Sequence, residues 1–508
     1  MVRPPKQAIK PEKKLPLPAL SFALGMAASY YTYQLFNISW RLYFLAAIFF
    51  LFIAVISFLR VIRYVAGKKA ADFHKLAILA AALAAGFSFG IASRQSVQGP
   101  PEMGLPAERV TAVSGILRED PRSLSGGSGY GILELYQCSG QGGQRASARG
   151  NLSVFFPAES IPYLREFGRG SEIYADGVLS LTDRGLLFNA SSVHIVRSAP
   201  PIETFRTALR TNLIERFQSR QGQDAVVWGG LASALLLGMR DDLNVDLAEG
   251  FRNSGCTHIL ALSGMHLAII SSVLAFLLKG PLGIRRSSLI GAVFIVVYVF
   301  VAGSQPSLVR SAIMYLIGTL SVWGLLKGKA ISLLSMAFII QLIFQSDTGE
   351  SLSFILSYLA LLGILSMGEN LHSLLRGRLP EIVNGSFSAS IGAFVFTAPV
   401  VALFFDTLRP IGILATLVVA PISAVFMVLG LAALFASFLP IPLWNLFDFA
   451  LTHLYRLLEF TVSAFGTVPG FSAANPLPVL VFSLLFYLSI IYLKRRDNAH
   501  RNSIASFS

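Results

Sequence analysis

The chain has 508 residues, of which 54% are hydrophobic and 13% are charged, and its formal net charge is +14. A mean hydropathy of +0.64 excludes an ordinary soluble protein and indicates an integral membrane protein. Two cysteines exclude a disulfide framework. The basic excess has two explanations, which are basic cytoplasmic loops between membrane spans or a polyanionic partner such as nucleic acid.

Residues 1–93 are predicted to contain three membrane spans. Apolar runs cover 17–35, 42–62 and 76–91, and Lys and Arg cluster before the first run and after the second. By the positive-inside rule the N-terminus is expected in the cytoplasm, so that the chain emerges outside after the third span. No clear small-residue cleavage site follows the first run, which is therefore not expected to be a cleaved signal peptide.

Residues 94–200 are expected to form an extracytoplasmic β domain. Short runs of alternating apolar and polar residues are separated by Gly-rich turns, a pattern typical of strands. Strands are predicted over 108–117, 131–137, 152–156, 172–181 and 185–196. Five short strands in about 100 residues favour a small β-barrel of the OB type, and a β-sandwich is nearly as compatible.

Residues 201–257 are expected at the outer membrane face. Five apolar residues recur every three to four positions: Ile202, Phe205, Leu209, Leu213 and Phe217. Four arginines lie elsewhere around the same helix, so the pattern predicts an amphipathic helix over 201–220 along the membrane surface. The apolar run 226–237 is short for a span of about 20 residues and is interpreted as a re-entrant or partly buried helix.

Residues 258–495 are predicted to form a helical channel domain. Nine apolar runs follow one another, and alternate loops between them are basic. With the N-terminal runs they predict a polytopic α-helical membrane protein of roughly 12 spans, with a basic cytoplasmic tail over 496–508. The run 443–465 carries charged residues, and as an interfacial helix it would move the C-terminus to the other side.

The stretch 251–266 takes Arg252 and two histidines towards and into an apolar span. An ionisable residue near the bilayer centre costs about 2.5–3.5 kcal/mol, so such residues indicate function. On one continuous helix His258 and His266 would lie roughly 80° apart and about 12 Å apart along the axis, lining a cavity at two depths. Ser263 and Gly264 between them allow close approach of a helix or ligand. The alternative is that each histidine hydrogen-bonds a neighbouring helix.

Two further groups of polar residues lie at the starts of predicted spans. Ser307, Arg310 and Ser311 share one helical face near the outer interface, where the positive end of the helix dipole favours an anion. Ser353 and Ser357 place hydroxyl groups at the start of another span. The alternatives are snorkelling of Arg310 towards the interface and serine hydrogen bonds between helices.

The sequence contains no familiar hydrolytic metal motif and no Walker motif, so no metal, no cofactor and no enzymatic activity are expected. Ser263 and His266 stand at i, i+3 and permit an intramembrane serine hydrolase, because a nucleophile needs a base within reach. No second base or evident oxyanion hole accompanies them. A small-solute or lipid-precursor transporter is the other alternative.

The chain resembles the ComEC family of DNA-internalisation competence proteins. The resemblance is carried by the pattern His-x-x-Ala-x-Ser-Gly-x-His over 258–266 and by the segments 306–314 and 351–365. It implies an inner-membrane channel through which one DNA strand enters the cytoplasm. The implied path candidates are Arg252, His258, Ser263, Gly264, His266, Ser307, Arg310, Ser311, Ser353 and Ser357.

The resemblance also implies partners. Single-stranded DNA and membrane lipid would contact the protein directly, with an external DNA receptor on one side and cytoplasmic DNA-binding or motor proteins on the other. Many family members end in a metallo-β-lactamase-like domain, whereas this sequence ends at Ser508, so a separate nuclease is expected. Thr416 stands where the family often has Asn.

Overall fold

The computed structural model describes residues 18–32, 82–87, 89–90, 101–123, 128–182, 185–218, 228–324, 330–438 and 444–505. A β-barrel over 101–197 is joined by one helix to a helical part over 228–505. The span predicted over 42–62 lies outside the described residues. The span predicted over 17–35 is represented by α1 (Pro18–Thr32), and the one over 76–91 by helical residues 82–87 and 89–90.

The barrel contains five long strands and two short ones. Their bounds are β1 (Glu102–Met103), β2 (Val110–Leu117), β3 (Arg122–Ser123), β4 (Gly129–Gly140), β5 (Arg145–Phe156), β6 (Glu172–Thr182) and β7 (Gly185–Arg197). The long strands close in the order β2-β4-β5-β7-β6-β2, antiparallel except between β5 and β7. The five predicted strands are confirmed, and the barrel rather than the sandwich is the observed arrangement.

Alternating side chains explain why these strands close around a core. Leu133 of β4, Leu152 and Val154 of β5 and Phe188 of β7 are fully buried, and each such side chain contributes about 1.5–3 kcal/mol. Between β5 and β6 lies α2 (Ser160–Phe167), whose Leu164 joins this core. The barrel is thus a folded unit with its own hydrophobic core.

Helix α3 (Pro201–Gln218) connects the barrel to the helical part, and its polarity differs from the prediction. Leu209 and Leu213 pack on the helical part as an apolar face would, but Ile202 and Phe205 are exposed. Arg206 is 2% exposed because Asp120 of the barrel and Glu203 of α3 itself pair with it. Ion pairing with the barrel therefore sets the orientation of the first half of α3.

The helical part has eleven helices within the described residues. They are α4 (Gly229–Leu237), α5 (Val245–Asn253), α6 (Thr257–Leu260), α7 (Gly264–Ala302), α8 (Pro306–Val322), α9 (Ala330–Phe344), α10 (Leu352–Leu374), α11 (Glu381–Phe405), α12 (Gly412–Ala436), α13 (Trp444–Gly466) and α14 (Pro476–Ala505). A π-helical turn at Ile364–Gly368 lies inside α10.

Five of these helices are long and apolar enough to cross a membrane: α7, α10, α11, α12 and the Pro476–Asp497 part of α14. Helices α8 and α9 are apolar but shorter. Helix α13 is not among the five, in keeping with the charged residues noted in its sequence. The chain is therefore a helical membrane protein, and the total of roughly 12 spans stays a prediction.

Helix α7 is a helical hairpin and not a straight rod. A straight helix of its 39 residues would be about 58 Å long. Leu262 and Gln305, which flank its two ends, both lie against Gly238, since a Cβ on Gly238 would be 2.5 Å from Leu262 Cδ1 and 3.2 Å from Gln305 Nε2. The reversal occurs around Pro281 and Gly283, the latter with a φ of 73°. Both ends of α7 are thereby brought to the same side of the protein.

Helix α4 lies at the centre of the helical part, with all nine of its residues buried. Its Leu231 and Leu235 belong to the same apolar cluster as Phe426 of α12 and Leu451 of α13. At Gly230 a Cβ would lie 1.9 Å from the Asp242 carbonyl oxygen, so only glycine permits this approach. The described part of the short apolar run 226–237 is accordingly a buried helix, as one of the two interpretations expected.

Candidate functional site

The histidine-bearing stretch is interrupted and does not form one helix. Helix α6 ends at Leu260, the backbone of Ala261 and Ser263 is extended, and α7 begins at Gly264. The geometry expected for His258 and His266 on one continuous helix is therefore wrong. His258 is exposed, whereas His266 is fully buried.

Ser263 and His266 form a capping box, which explains why α7 starts where it does. The Ser263 N–H donates to His266 Nδ1 over 3.1 Å, and Ser263 Oγ lies 3.0 Å from the same nitrogen. Because Nδ1 accepts from a backbone N–H, the proton of the neutral ring is on Nε2. Within the described residues His266 Nε2 is buried and has no hydrogen-bond partner.

Arg310, on the second turn of α8, is a buried cation with 7% exposure. Its Nη1 donates to the Ser357 carbonyl oxygen, and its guanidinium carbon lies 5.7 Å from the centre of the Tyr358 ring. Its Nε is buried and has no partner within the described residues. No described carboxylate lies within 4 Å of the guanidinium nitrogens. Among the described residues, a carbonyl dipole and an aromatic face compensate the positive charge.

Gly264 is a point of close approach between the starts of α7 and α8. A Cβ at this position would lie 2.7 Å from Ser311 Oγ and 3.3 Å from Arg310 Nη2. Ser307 Oγ donates to the Leu262 carbonyl oxygen over 2.6 Å and fixes α8 against the extended segment. The starts of both helices consequently meet beside one guanidinium.

We call this arrangement the polar cluster and define it by the residues Ser263, Gly264, His266, Ser307, Arg310 and Ser311. It combines a guanidinium with the positive ends of two helices, and it includes the neutral imidazole that caps the start of α7. The guanidinium and the helix ends each favour an anion. The cluster therefore has the chemistry of an anion-binding site.

The other predicted site residues are arranged differently. Ser357 reaches the cluster through its carbonyl oxygen, while Ser353 is exposed at the start of α10. Arg252 is exposed in the last turn of α5, and His258 is exposed on α6. His258 lies close enough to His266 of the cluster for the two charges to interact, whereas no described contact joins Arg252 or Ser353 to it. Their place on a DNA path stays a prediction.

Two residues of the surroundings were not predicted. Gln341 of α9 is fully buried, accepts from Tyr358 Oη over 2.9 Å and donates to the Pro306 carbonyl oxygen over 3.0 Å. Its signal in the sequence is an amide inside an apolar run. Arg409 donates to the backbone and side chain of Asn253, at 2.7 and 3.1 Å, and links the start of α12 to α5. A lone arginine in a loop carries no such signal.

The described part of the chain contains no group of three or more His, Cys, Asp or Glu residues arranged to hold a metal ion. Cys256 lies buried before α6, with its Sγ 3.8 Å from Thr416 Oγ1, and Thr416 Oγ1 donates to the Gly412 carbonyl oxygen. Thr416 of α12 thus has hydrogen-bond partners on its own helix and beside the start of α6.

Comparison with known proteins gives relatives for the helical part. A family model described as Competence protein matches residues 235–496, just over half of the chain. The chain is 27% identical over 320 residues to ComE operon protein 3 of Bacillus subtilis (strain 168), covering 59% of this chain and 38% of that protein. It is 26% identical over 258 residues to an uncharacterized protein of Aquifex aeolicus (strain VF5), covering 50% of this chain and 58% of that one.

The chain thus spans less than two thirds of the length of both relatives. No solved structure matches. The family match includes α7, α8 and α10 and with them the polar cluster. The chain therefore belongs to the competence protein family, the ComEC family that its motifs resemble.

Proposed function

We propose that this protein is a multi-pass inner-membrane channel that admits single-stranded DNA to the cytoplasm in natural transformation, and that the polar cluster holds a backbone phosphate on the way. The single observation that carries the proposal is the buried Arg310 guanidinium, which has no carboxylate within 4 Å in the described part of the chain. Membership of the competence family supports the same substrate.

A buried cation without a carboxylate partner costs free energy. Its retention therefore calls for an anion that is present during function. A fixed carboxylate would neutralise Arg310 permanently and would repel phosphate. A passing nucleic-acid backbone supplies one negative charge per nucleotide, and a guanidinium matches phosphate geometry. His266 adds a buried imidazole at the start of α7, within the same cluster. These properties suit transient phosphate binding better than permanent structure.

The barrel supports the same proposal. Its strand order β2-β4-β5-β7-β6, the parallel contact of β5 with β7 and the helix between β5 and β6 suit an OB-like fold, which often binds single strands. We place the barrel outside the cytoplasm and both termini of the chain inside the cytoplasm. An external DNA receptor, cytoplasmic DNA-binding or motor proteins and a separate nuclease are the partners that this role requires.

The proposal is tested by complementing a deletion strain and measuring both transformation and entry of labelled DNA into the cytoplasm. Arg310→Gln keeps much of the side-chain volume and removes the charge, so uptake is expected to fall by at least about tenfold, the equivalent of about 1.4 kcal/mol. Arg310→Lys keeps the positive charge but lacks the planar pair of donors that a guanidinium offers to phosphate. This variant is expected to recover part of the uptake.

Arg286→Gln is the matched control, because Arg286 is an exposed arginine at the turn of the α7 hairpin. Membrane insertion of every variant is checked by fluorescence-detected gel filtration in detergent. Normal uptake by a well-inserted Arg310→Gln variant would contradict the role of the cluster. Normal transformation of the deletion strain would contradict the proposed function as a whole.

The contact between Ser263 Oγ and His266 Nδ1 at 3.0 Å also favours a second candidate, a serine hydrolase. In that case the hydroxyl is the nucleophile and the imidazole is its base. The same contact is fully explained by the capping box, and a comparison of variants at Ser263 separates the two.

A further inference from the structure

Arginines make the polar contacts between the barrel and the helical part within the described residues. Arg165 of α2 pairs with Asp241 over 2.8 Å. Arg118, just after β2, pairs with Asp347 over 3.2 Å, and Arg169 Nη1 lies 3.5 Å from Ser304 Oγ. All three positive side chains belong to the barrel, and they reach carboxylates or a hydroxyl on the helical part.

Two of the three contacts end on turns that position the polar cluster. Ser304 lies in the turn between α7 and α8, directly before the helix that carries Arg310. Asp347 lies in the 3₁₀ turn Ser346–Glu350 before α10, the helix whose Ser357 carbonyl binds Arg310. Asp241 follows α4. The barrel therefore rests on the end of the helical part at which the cluster lies.

A second set of charges joins the barrel to α3 and is more deeply buried. Asp120, between β2 and β3, accepts from Arg206 and Arg210, each over 2.6 Å. Glu203 accepts from Arg206 over 2.8 Å and also pairs with Arg169. Arg210 continues to the Leu237 carbonyl oxygen over 3.1 Å, at the end of α4. This network attaches the barrel to the covalent connection between the two parts.

The two sets differ in accessibility. The side chains of the Arg165–Asp241 pair are 30% and 15% exposed, and those of the Arg118–Asp347 pair are both 35% exposed. The Arg206 side chain is 3% exposed. Partly exposed ion pairs contribute little in water and are screened by salt, whereas a buried network resists exchange. The exposed contacts are therefore the ones that open first.

We propose that Arg118 and Arg165 form a latch that a phosphate polyanion opens, while the Asp120 network, to which Arg169 belongs through Glu203, serves as the hinge. A chain of phosphates competes for guanidinium groups because it accepts two parallel hydrogen bonds and is multivalent. The two arginines release Asp347 and Asp241 and take phosphates instead. The turn before α10 is then uncovered beside the polar cluster. That the polyanion is single-stranded DNA rests on the proposed function.

The latch is tested by measuring the distance between spin labels on its two sides, in the full chain in detergent. Cysteines are introduced at Tyr163 of α2 and Val245 of α5, which are 44% and 59% exposed, whereas both native cysteines are buried. The probes are inorganic polyphosphate, a 30-residue oligothymidylate and sodium chloride. Each probe is expected to shift the distance distribution to longer values.

Substitution of the latch must reproduce this shift without a probe. The double variant Arg118→Gln, Arg165→Gln is expected to show the long distances in buffer alone. In the Arg118→Gln background, Arg165→Asp combined with Asp241→Arg restores an ion pair of opposite direction. This variant is expected to show shorter distances than the double variant. Arg197→Gln is the matched control, since Arg197 is an exposed barrel arginine whose partner Glu172, at 3.9 Å, is also in the barrel.

An unchanged distribution in the double variant, or with bound polyphosphate, would overturn the latch. Binding is followed separately by fluorescence anisotropy of labelled probes. If polyphosphate and salt lengthen the distance but oligothymidylate neither binds nor lengthens it, the latch is upheld and the DNA channel is contradicted. If all three probes lengthen it while Arg310→Gln supports normal uptake, the latch is upheld and the role of the cluster is contradicted.

Discussion

Gly264 is the residue whose size is most tightly constrained at the polar cluster. Gly264→Ala places a Cβ 2.7 Å from Ser311 Oγ and 3.3 Å from Arg310 Nη2, so these side chains must shift from their present contacts or α7 and α8 must separate. Overpacking of this kind costs about 1–3 kcal/mol. We expect a lower unfolding midpoint in detergent and reduced DNA uptake.

Gly318→Ala on α8 provides the control, because nothing lies within 4 Å of a Cβ at that position. In a helix this exchange is expected to stabilise the protein by about 0.4–1 kcal/mol. Equal effects of the two substitutions on stability and uptake would show that contact between α7 and α8 at Gly264 is unimportant.

Ser263 distinguishes a helix cap from a nucleophile. Ser263→Ala removes the cap and is expected to cost about 1 kcal/mol, whereas Ser263→Gly is expected to cost only a few tenths. Neither variant has a hydroxyl, so a hydrolase would lose activity equally in both. We expect uptake to follow the unfolding midpoints of the two variants and a fluorophosphonate probe to leave the wild type unlabelled. Labelling at Ser263 would favour the hydrolase.

Sequence spacing alone locates part of the cluster. Ser307, Arg310 and Ser311 are neighbours on one helix face, and the structure keeps that face against Gly264. The relation of His258 to His266 was not predictable, since the capping box replaces a continuous helix by a break. The role of Gln341 depends on the packing of α9 against α8 and α10, which no local pattern encodes.

At the scale of elements, the Asp120 network predicts a dependence of stability on pH. Burial disfavours the Asp120 carboxylate, but the hydrogen bond from Arg206 and the charges of Arg210 and Arg206 outweigh burial, so the pKa lies below its ordinary 3.8. The folded state then binds protons less readily than the unfolded state. The stabilisation is present above pH 3.8 and is lost as the pH falls through the lowered pKa.

Asp120→Asn should therefore lower the free energy of unfolding at neutral pH by about 3–5 kcal/mol, because it removes one partner of a buried pair. The unfolding midpoint falls with it. The difference from the wild type is expected to shrink below pH 3.8. Glu119→Gln is the control, since Glu119 pairs with Arg122 and both side chains are at least half exposed. A difference for Asp120→Asn that stays constant from pH 7 to pH 3 would contradict this account.

The strands were more predictable than α3 because each strand carries its own alternation. Strands β2 and β6 are found within two residues of their predicted limits, whereas β4 and β5 extend further along polar residues that pair with each other. The orientation of α3 depends on Asp120, about 90 residues earlier in sequence, and on Glu203, whose carboxylates make burial of Arg206 favourable. Periodicity alone placed Ile202 and Phe205 on the wrong side.

At the scale of the whole molecule, polar contacts position the barrel against the largely apolar helical part. The helical part has its main core around α4, α12 and α13, and this core does not include the barrel strands. The barrel is joined to the rest through α3 and through arginine contacts at one end. The hairpin of α7 brings its two ends to this same end, and its turn at Pro281 lies about 26 Å away at 1.5 Å per residue. That distance approaches the thickness of a bilayer core.

This geometry predicts that the barrel and the turn of α7 lie on opposite sides of the membrane. Gln141, in the exposed turn between β4 and β5, and Lys279, exposed at the α7 turn beside Arg285 and Arg286, are replaced by cysteine in turn. A membrane-impermeant maleimide is expected to label Gln141→Cys in intact spheroplasts and Lys279→Cys only after permeabilisation, because basic turns stay in the cytoplasm. Both native cysteines are buried and give the background. Labelling of both variants in intact spheroplasts would mean that the α7 hairpin does not cross, and protection of both would put the barrel in the cytoplasm.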